Sequence, residues 1–152
     1  MALFSNKQEA NLRSCIRMIE DALQSLGHPP ENSRSESADD MPAWRVDTGA
    51  GARVDVHLGA EDDKNVLRVT ATVATVPQVD AAVLAQIFRK LLELNAGEVK
   101  GVAFGIVGDD IVLISERSTL DLDPSEVEEI LRQTEKFAAH YAGILARDIA
   151  TA

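Results

Sequence analysis

The chain has 152 residues, 45% apolar but only 4% aromatic, and a formal net charge of -10, so it can build one aliphatic-cored domain but not two substantial ones. A surface this acidic, with no compensating basic run, excludes nucleic acid and anionic membranes from the expected partners. A single cysteine excludes an internal disulfide and a cysteine-rich metal site. No stretch approaches a membrane span, and the start MALFSNKQEANLRS lacks the basic and apolar regions of a secretory leader, so a cytoplasmic protein is expected.

The first periodic segment is EANLRSCIRMIEDALQSLG. Leu12, Ile16, Ile19, Leu23 and Leu26 repeat at helical spacing, and Gly27 followed by Pro29 and Pro30 predicts the stop. Cys15 lies beside the stripe and is expected as a buried small hydrophobe, because no partner base accompanies it. Residues 28–43 are polar, acidic and without a period, and they read as a flexible loop. Trp44 follows at the entry to the first strand and is expected in the core or at its rim.

AWRVDT and ARVDVHLG read as strands separated by Gly49 and Gly51. Alternation sets Val54, Val56 and Leu58 on one face and Arg53, Asp55 and His57 on the other. The polar trio contains no nucleophile and reads as a solvated face. VLRVTATVATVP is rich in β-branched residues and predicts a third strand, with Leu67, Val69, Ala71 and Val73 on one side. The two longer runs are expected as neighbours in an antiparallel sheet.

QVDAAVLAQIFRKLLELNAG returns to helical spacing through Val83, Leu84, Ile87, Phe88, Leu91 and Leu92, with Asp80 placed to cap it and Gly97 to end it. This stripe is wide enough to cover a sheet and still present apolar surface to a partner. GVAFGIV and IVLISER then form a predicted hairpin around GDD, where Gly108 and Asp109 suit the turn. Val102, Phe104 and Ile106 share one face, and Gly101 and Gly105 leave room for a close approach on the other. Neither glycine has the loop-to-helix context or lysine of a phosphate loop, and Asp109 with Asp110 reads as a solvated turn. LDPSEVEEIL opens a last long helix, with Asp123 as cap, Pro124 in the first position and Glu126 completing a capping box. Val127, Ile130, Leu131, Phe137, Ala138, Tyr141, Leu145 and Ile149 form its stripe.

The expected fold class is α+β, one antiparallel sheet packed with helices in the order α-β-β-β-α-β-β-α. That order resembles the type III secretion chaperone fold. From Leu84 to Leu145 the chain also looks like the YbjN-type branch of that fold. The resemblance rests on Leu91, Leu92 and Asn95 closing a helix, GVAFGIVGDDIVLISE as the hairpin, and LDLDPSEVEEIL opening the last helix. It implies one domain over 1–152 that is acidic, non-enzymatic and homodimeric, and that holds a client or regulatory protein segment in extended form.

On that reading Val54, Val56, Val69 and Val73 are the candidate groove for a partner, and basic clients are favoured by charge. Val83, Ile87, Leu91, Leu94 and Phe104 are the candidate homodimer interface. No catalytic, metal or cofactor residues are assigned. His28, His57 and His140 fall on a loop, a strand and a distant helix, and no ligand-spaced group or cofactor loop is present. The alternative is a small-molecule sensor with an aliphatic pocket between sheet and helices, which would leave no motif.

Overall fold

The computed structural model describes residues 2–62 and 64–151, with side chains from residue 6 onward. The elements in chain order are α1 (Ala2–Ser25), α2 (Pro30–Ser33), β1 (Arg34–Ser35), β2 (Ala43–Asp47), β3 (Arg53–Glu61), β4 (Lys64–Thr75), α3 (Ala81–Gly97), β5 (Ala103–Val107), β6 (Asp110–Ser118) and α4 (Pro124–Ala150). The six strands form one sheet in the order β1-β2-β3-β4-β6-β5. The α+β architecture is thus as expected. Within 28–43 the expectation of an aperiodic loop is corrected by a one-turn helix, α2, and by a two-residue strand, β1, paired antiparallel to β2.

Local chemistry accounts for most boundaries. Helix α1 ends where Gly27 takes φ +86°, a left-handed conformation that costs glycine little. The His28 N–H then reaches back to the Leu23 carbonyl at 2.8 Å and the Gly27 N–H to that of Gln24 at 3.1 Å, giving two end carbonyls a partner. At the start of α4, Asp123 Oδ1 accepts the Glu126 N–H at 3.0 Å while the Asp123 N–H donates to Glu126 Oε2 at 3.2 Å. This is the reciprocal capping box that the sequence predicts. The Ser125 hydroxyl, donating at 2.5 Å, is the largest cause holding the Asp123 carboxyl below its ordinary range.

Helix α3 corrects two expectations. Asp80 occupies the cap position, but its side chain makes no capping hydrogen bond; its carbonyl accepts the Leu84 N–H at 3.0 Å. Gly97 is still helical, and Glu98 forms the C-cap. The hairpin turn is as read: Val107 pairs with Asp110, leaving two residues between the strands, and only Gly108 of those two has positive φ, at +60°. Glycine in the first central position fits a type II′ hairpin. At Gly105 no helix of the described chain takes up the room: a Cβ there would meet Ile114 Cδ1 of the neighbouring strand at an ordinary 3.6 Å.

The contacts fall into two compact units. One comprises Met1–Val46, Asp55–Val69 and Glu116–Arg132; the other comprises Asp47–Val54, Thr70–Ser115 and Gln133–Ala152. The first has a core of Cys15, Ile19, Leu23, Trp44, Leu58 and Leu131, and the second is built on Ile111, Leu113, Ala138, Tyr141 and Leu145. Both cores are aliphatic apart from Trp44 in the first and Phe104 and Tyr141 in the second, in keeping with the low aromatic content.

Candidate functional site

Strand β5 ends the sheet on one side, and its outer edge meets α3. The Phe104 N–H donates to Asn95 Oδ1 at 2.7 Å, and Asn95 Nδ2 donates to the Phe104 carbonyl at 3.2 Å. One carboxamide therefore satisfies both backbone groups of Phe104, as a residue of a neighbouring strand would. Phe104 itself turns inward, 8% exposed. Its ring meets Tyr141 edge-on, with centroids 5.2 Å apart, and Tyr141 also stacks on Phe137. The Tyr141 hydroxyl donates to Glu98 Oε2 at 3.2 Å. Burial first, and the Glu98 carboxylate second, raise the tyrosine above its usual range.

Around this clamp the surface is apolar. Helix α3 carries AAVLAQIFRKLLELNAG, yet among the described residues it buries only Leu91. Leu92 is 68% exposed, Ile106 46% and Val107 56%. Phe88, Leu91, Leu92, Asn95, Phe104 and Ile106 line a shallow apolar cavity of about 140 Å³. On the other flank of the helix, Val83, Ile87 and Lys90 line a cleft of about 440 Å³ with Leu145, Asp148 and Ile149 of α4. There Lys90 is ion-paired with Asp148.

The expected interface residues thus divide. Leu91 and Phe104 belong to the core, Val83, Ile87 and Leu94 are half-buried beside it, and the exposed apolar groups on this side are Leu92, Ile106 and Val107.

At the other end of the sheet order, β1 lies on the outer edge of β2, with Arg34 opposite Trp44 and Ser35 opposite Ala43. The Arg34 guanidinium donates to Glu20 Oε1 on α1 through Nε at 3.1 Å and Nη2 at 2.8 Å, and its Cζ stands 5.0 Å from the centre of the Trp44 ring. Each contact is modest: an exposed ion pair is worth about 0–1 kcal/mol and a cation over an aromatic face about 0.5–1 kcal/mol at such a site. Trp44 is 0% exposed. Its Nε1 is the one buried side-chain nitrogen or oxygen without a hydrogen-bond partner among the described residues.

The chain after β1 is tied down by Asp39. Its Oδ1 accepts from Ser37 Oγ at 2.8 Å and from the Met41 N–H at 3.2 Å, and it lies 3.0 Å from His57 Nε2 on β3. The contact with His57 is the largest cause, ahead of Ser37, of the Asp39 carboxyl falling to about 2.

The polar face of the sheet is a solvated, ion-paired surface, as its alternation predicts. Arg45 donates to Asp55 at 2.7 Å and Arg68 to Glu116 at 2.7 Å. Asp39, His57, Gly59, Glu61, Arg68 and Glu116 line a depression of about 270 Å³ there.

The candidate groove of four valines is corrected. Val54, Val56, Val69 and Val73 are 1%, 0%, 0% and 6% exposed, so their side chains face the core and none lines a surface cavity described above. An aspartate at Val56 or Val69 would bury an unpaired charge, and any loss of binding would report unfolding. Glu20 and Arg34 carry no signal in the sequence, and Asn95 shows there only as a helix end, because their partners are a residue at no regular spacing, a ring face and a backbone. His140 stands edge-on to Tyr141, with centroids 4.8 Å apart. Cys15 is buried, and burial raises its thiol above the ordinary value. No group of three or more His, Cys, Asp or Glu among the described residues is arranged to hold a metal, and no described helix is long and apolar enough to cross a membrane.

The architecture is that of the type III secretion chaperone fold. The chain superposes over 88% of its length on 94% of a chain of the ExsC–ExsE complex, with TM-score 0.63 and 18% identity. It is similar over 82% of its length to 94% of a chain in the heterodimeric ExoU–SpcU complex from the type III secretion system of Pseudomonas aeruginosa, with TM-score 0.54 and 12% identity. Over 89% of its length it matches 97% of a chain of the HopA1–SchA chaperone–effector complex, with TM-score 0.52 and 13% identity. At these identities the likeness is one of fold. The sequence matches no family model and no curated protein.

Proposed function

We propose that this protein is a non-enzymatic, cytoplasmic protein-binding module of the chaperone or adaptor kind. It acts as a homodimer and holds an extended, net-basic segment of a partner. The observation that carries this reading is the uncovered α3 face: a strongly apolar helix with Leu91 as its buried residue, beside exposed Leu92, Ile106 and Val107. Such a patch marks an interaction surface, and a self-complementary one closes as a two-fold dimer.

Val83, Ile87 and Leu94 would flank that dimer contact, with Leu91 and Phe104 as its floor. Likeness of fold to a chain of a chaperone–effector complex supports the holding role, and the charge of -10 supports a basic partner. The stretch Leu84–Leu145 is read more finely as YbjN-like, which favours a regulatory partner over a secreted one.

Light scattering from about 1 to 100 μM tests the dimer. A dimer mass at the upper end supports the proposal, and a monomer mass throughout overturns it. The cleft of about 440 Å³ lined by Val83, Ile87, Lys90, Leu145, Asp148 and Ile149 has the size of a ligand pocket and favours the second reading, a small-molecule sensor. A monomer whose melting temperature rises with a metabolite would establish that reading instead.

A further inference from the structure

We propose that Arg34–Ser35 is an internal plug: it occupies the edge of β2 in place of a partner strand and is displaced when an extended segment carrying an arginine pairs opposite Trp44. The inference rests on the reading that the chain holds extended partners, and it specifies the edge and the residue that partner must present.

Three observations lead to it. First, β1 is only two residues long, and its ladder ends at the pair Arg34 and Trp44. Because β1 is the terminal strand and the ladder stops there, the rest of β2, from Arg45 to Asp47, has no further strand partner on that side among the described residues. An edge of this kind is a template for strand addition. Second, the one side chain that gives the plug specificity is Arg34, which bonds Glu20 Oε1 twice and covers the Trp44 ring. The ladder itself uses backbone groups that any sequence supplies. An incoming strand with arginine in that position would reproduce every contact and could pair along the whole of β2.

Third, the plug is a poor electrostatic match for its own protein. It leads into Glu36 and Asp40 on a chain of net charge -10, so a basic segment gains attraction that the plug lacks. The plug's advantage is covalent attachment, which keeps its local concentration high.

Trp44 is the only tryptophan in the chain and reports on its own cover. The test uses the full chain, an Arg34→Gln variant, and a variant with residues 31–40 replaced by an equally long glycine–serine linker. The probe is a synthetic peptide of residues 30–40, PENSRSESADD. A control peptide carries glutamate in place of its arginine.

In Arg34→Gln, Trp44 emission moves to longer wavelength and acrylamide quenching rises, with circular dichroism unchanged. The linker variant binds the peptide about tenfold or more tightly than wild type does, because the tethered copy no longer competes, and the control peptide does not bind. Unchanged quenching in a folded Arg34→Gln protein overturns the plug. Equal peptide affinity in wild type and linker variant does the same. If the linker variant does not fold, the Arg34→Gln result decides. Neither assay uses a client, so failure to find one would count against the holding role and leave the plug standing.

Discussion

The two ends of the sheet are closed in different ways. At β5 a single carboxamide, Asn95, takes both backbone groups of Phe104, and the surroundings are aliphatic. At β2 a separate piece of backbone is laid on the edge and held by Arg34 between a carboxylate and an indole. Exposed edges invite unwanted pairing, and both devices suppress it. The first leaves an apolar surface that does not need the edge at all, and the second fills the edge with contacts individually worth about 1 kcal/mol or less. The β5 side therefore fits the proposed lasting contact with a second copy, and the β2 side the proposed contact that opens.

The sharpest way to break this contrast is at Leu92, which is 68% exposed and is expected to be covered only in the dimer. Leu92→Asp removes one buried leucine from each half of a two-fold interface, about 4 kcal/mol in all, so the dimer dissociation constant should rise roughly a thousandfold. Sedimentation equilibrium reads this directly; an unchanged constant would move the interface elsewhere.

Next in size is Asn95→Ala. It strands the N–H and C=O of Phe104, and urea unfolding should show a loss of about 1–3 kcal/mol. A loss of a few tenths would mean that water replaces the amide and that the β5 edge is open after all.

Glu20→Gln should be smaller still in global stability, below about 1 kcal/mol, because its partner Arg34 is half exposed. Its effect should be local. Hydrogen exchange at 34–35 and 43–44 is expected to quicken while that of β4 does not. Uniform quickening would show that the β2 edge opens only with the whole fold.

The smallest effect is acid-dependent. The Asp39 carboxyl is lowered from 3.8 to about 2 by its contacts with His57 and Ser37. Whatever it contributes is fully present above its unfolded value and is lost as pH falls through the folded one. The tie between the chain after β1 and strand β3 should therefore weaken between about pH 4 and pH 2, as seen in the nuclear magnetic resonance shifts of His57, and Asp39→Asn should abolish that acid dependence.

What the sequence made legible were features with a period or a local chemical signature. Val54, Val56 and Leu58 alternate with Arg53, Asp55 and His57 because a pleated strand has a period of two, and the Asp123 and Glu126 box lies within one helical turn. Strand β1 was not legible because two residues have no period. Arg34 and Glu20 lie 14 residues apart on different elements, and nothing local links them. Asn95 was noticed only as the end of a helix, since its partner is main chain and leaves no trace in residue type. The valines were assigned to the right face, but the same alternation describes a core and a groove. The correction came from burial alone.

The Asn95 amide has one more consequence, for the folding of the hairpin. The turn at Gly108 sets the pairing of β5 with β6 locally, Phe104 opposite Leu113. Strands have an exact two-residue repeat, so a slip of one position would put Ala103 or Gly105 against Asn95 and rotate the Phe104 ring away from Tyr141. An amide that reads only main chain would bond Ala103 or Gly105 as readily, so the non-local check on alignment is the Phe104 ring, which meets Tyr141 in the native register alone. A misaligned hairpin therefore keeps its amide bonds and forfeits the aromatic contact with α4, so register is fixed by a side chain and not by the edge clamp.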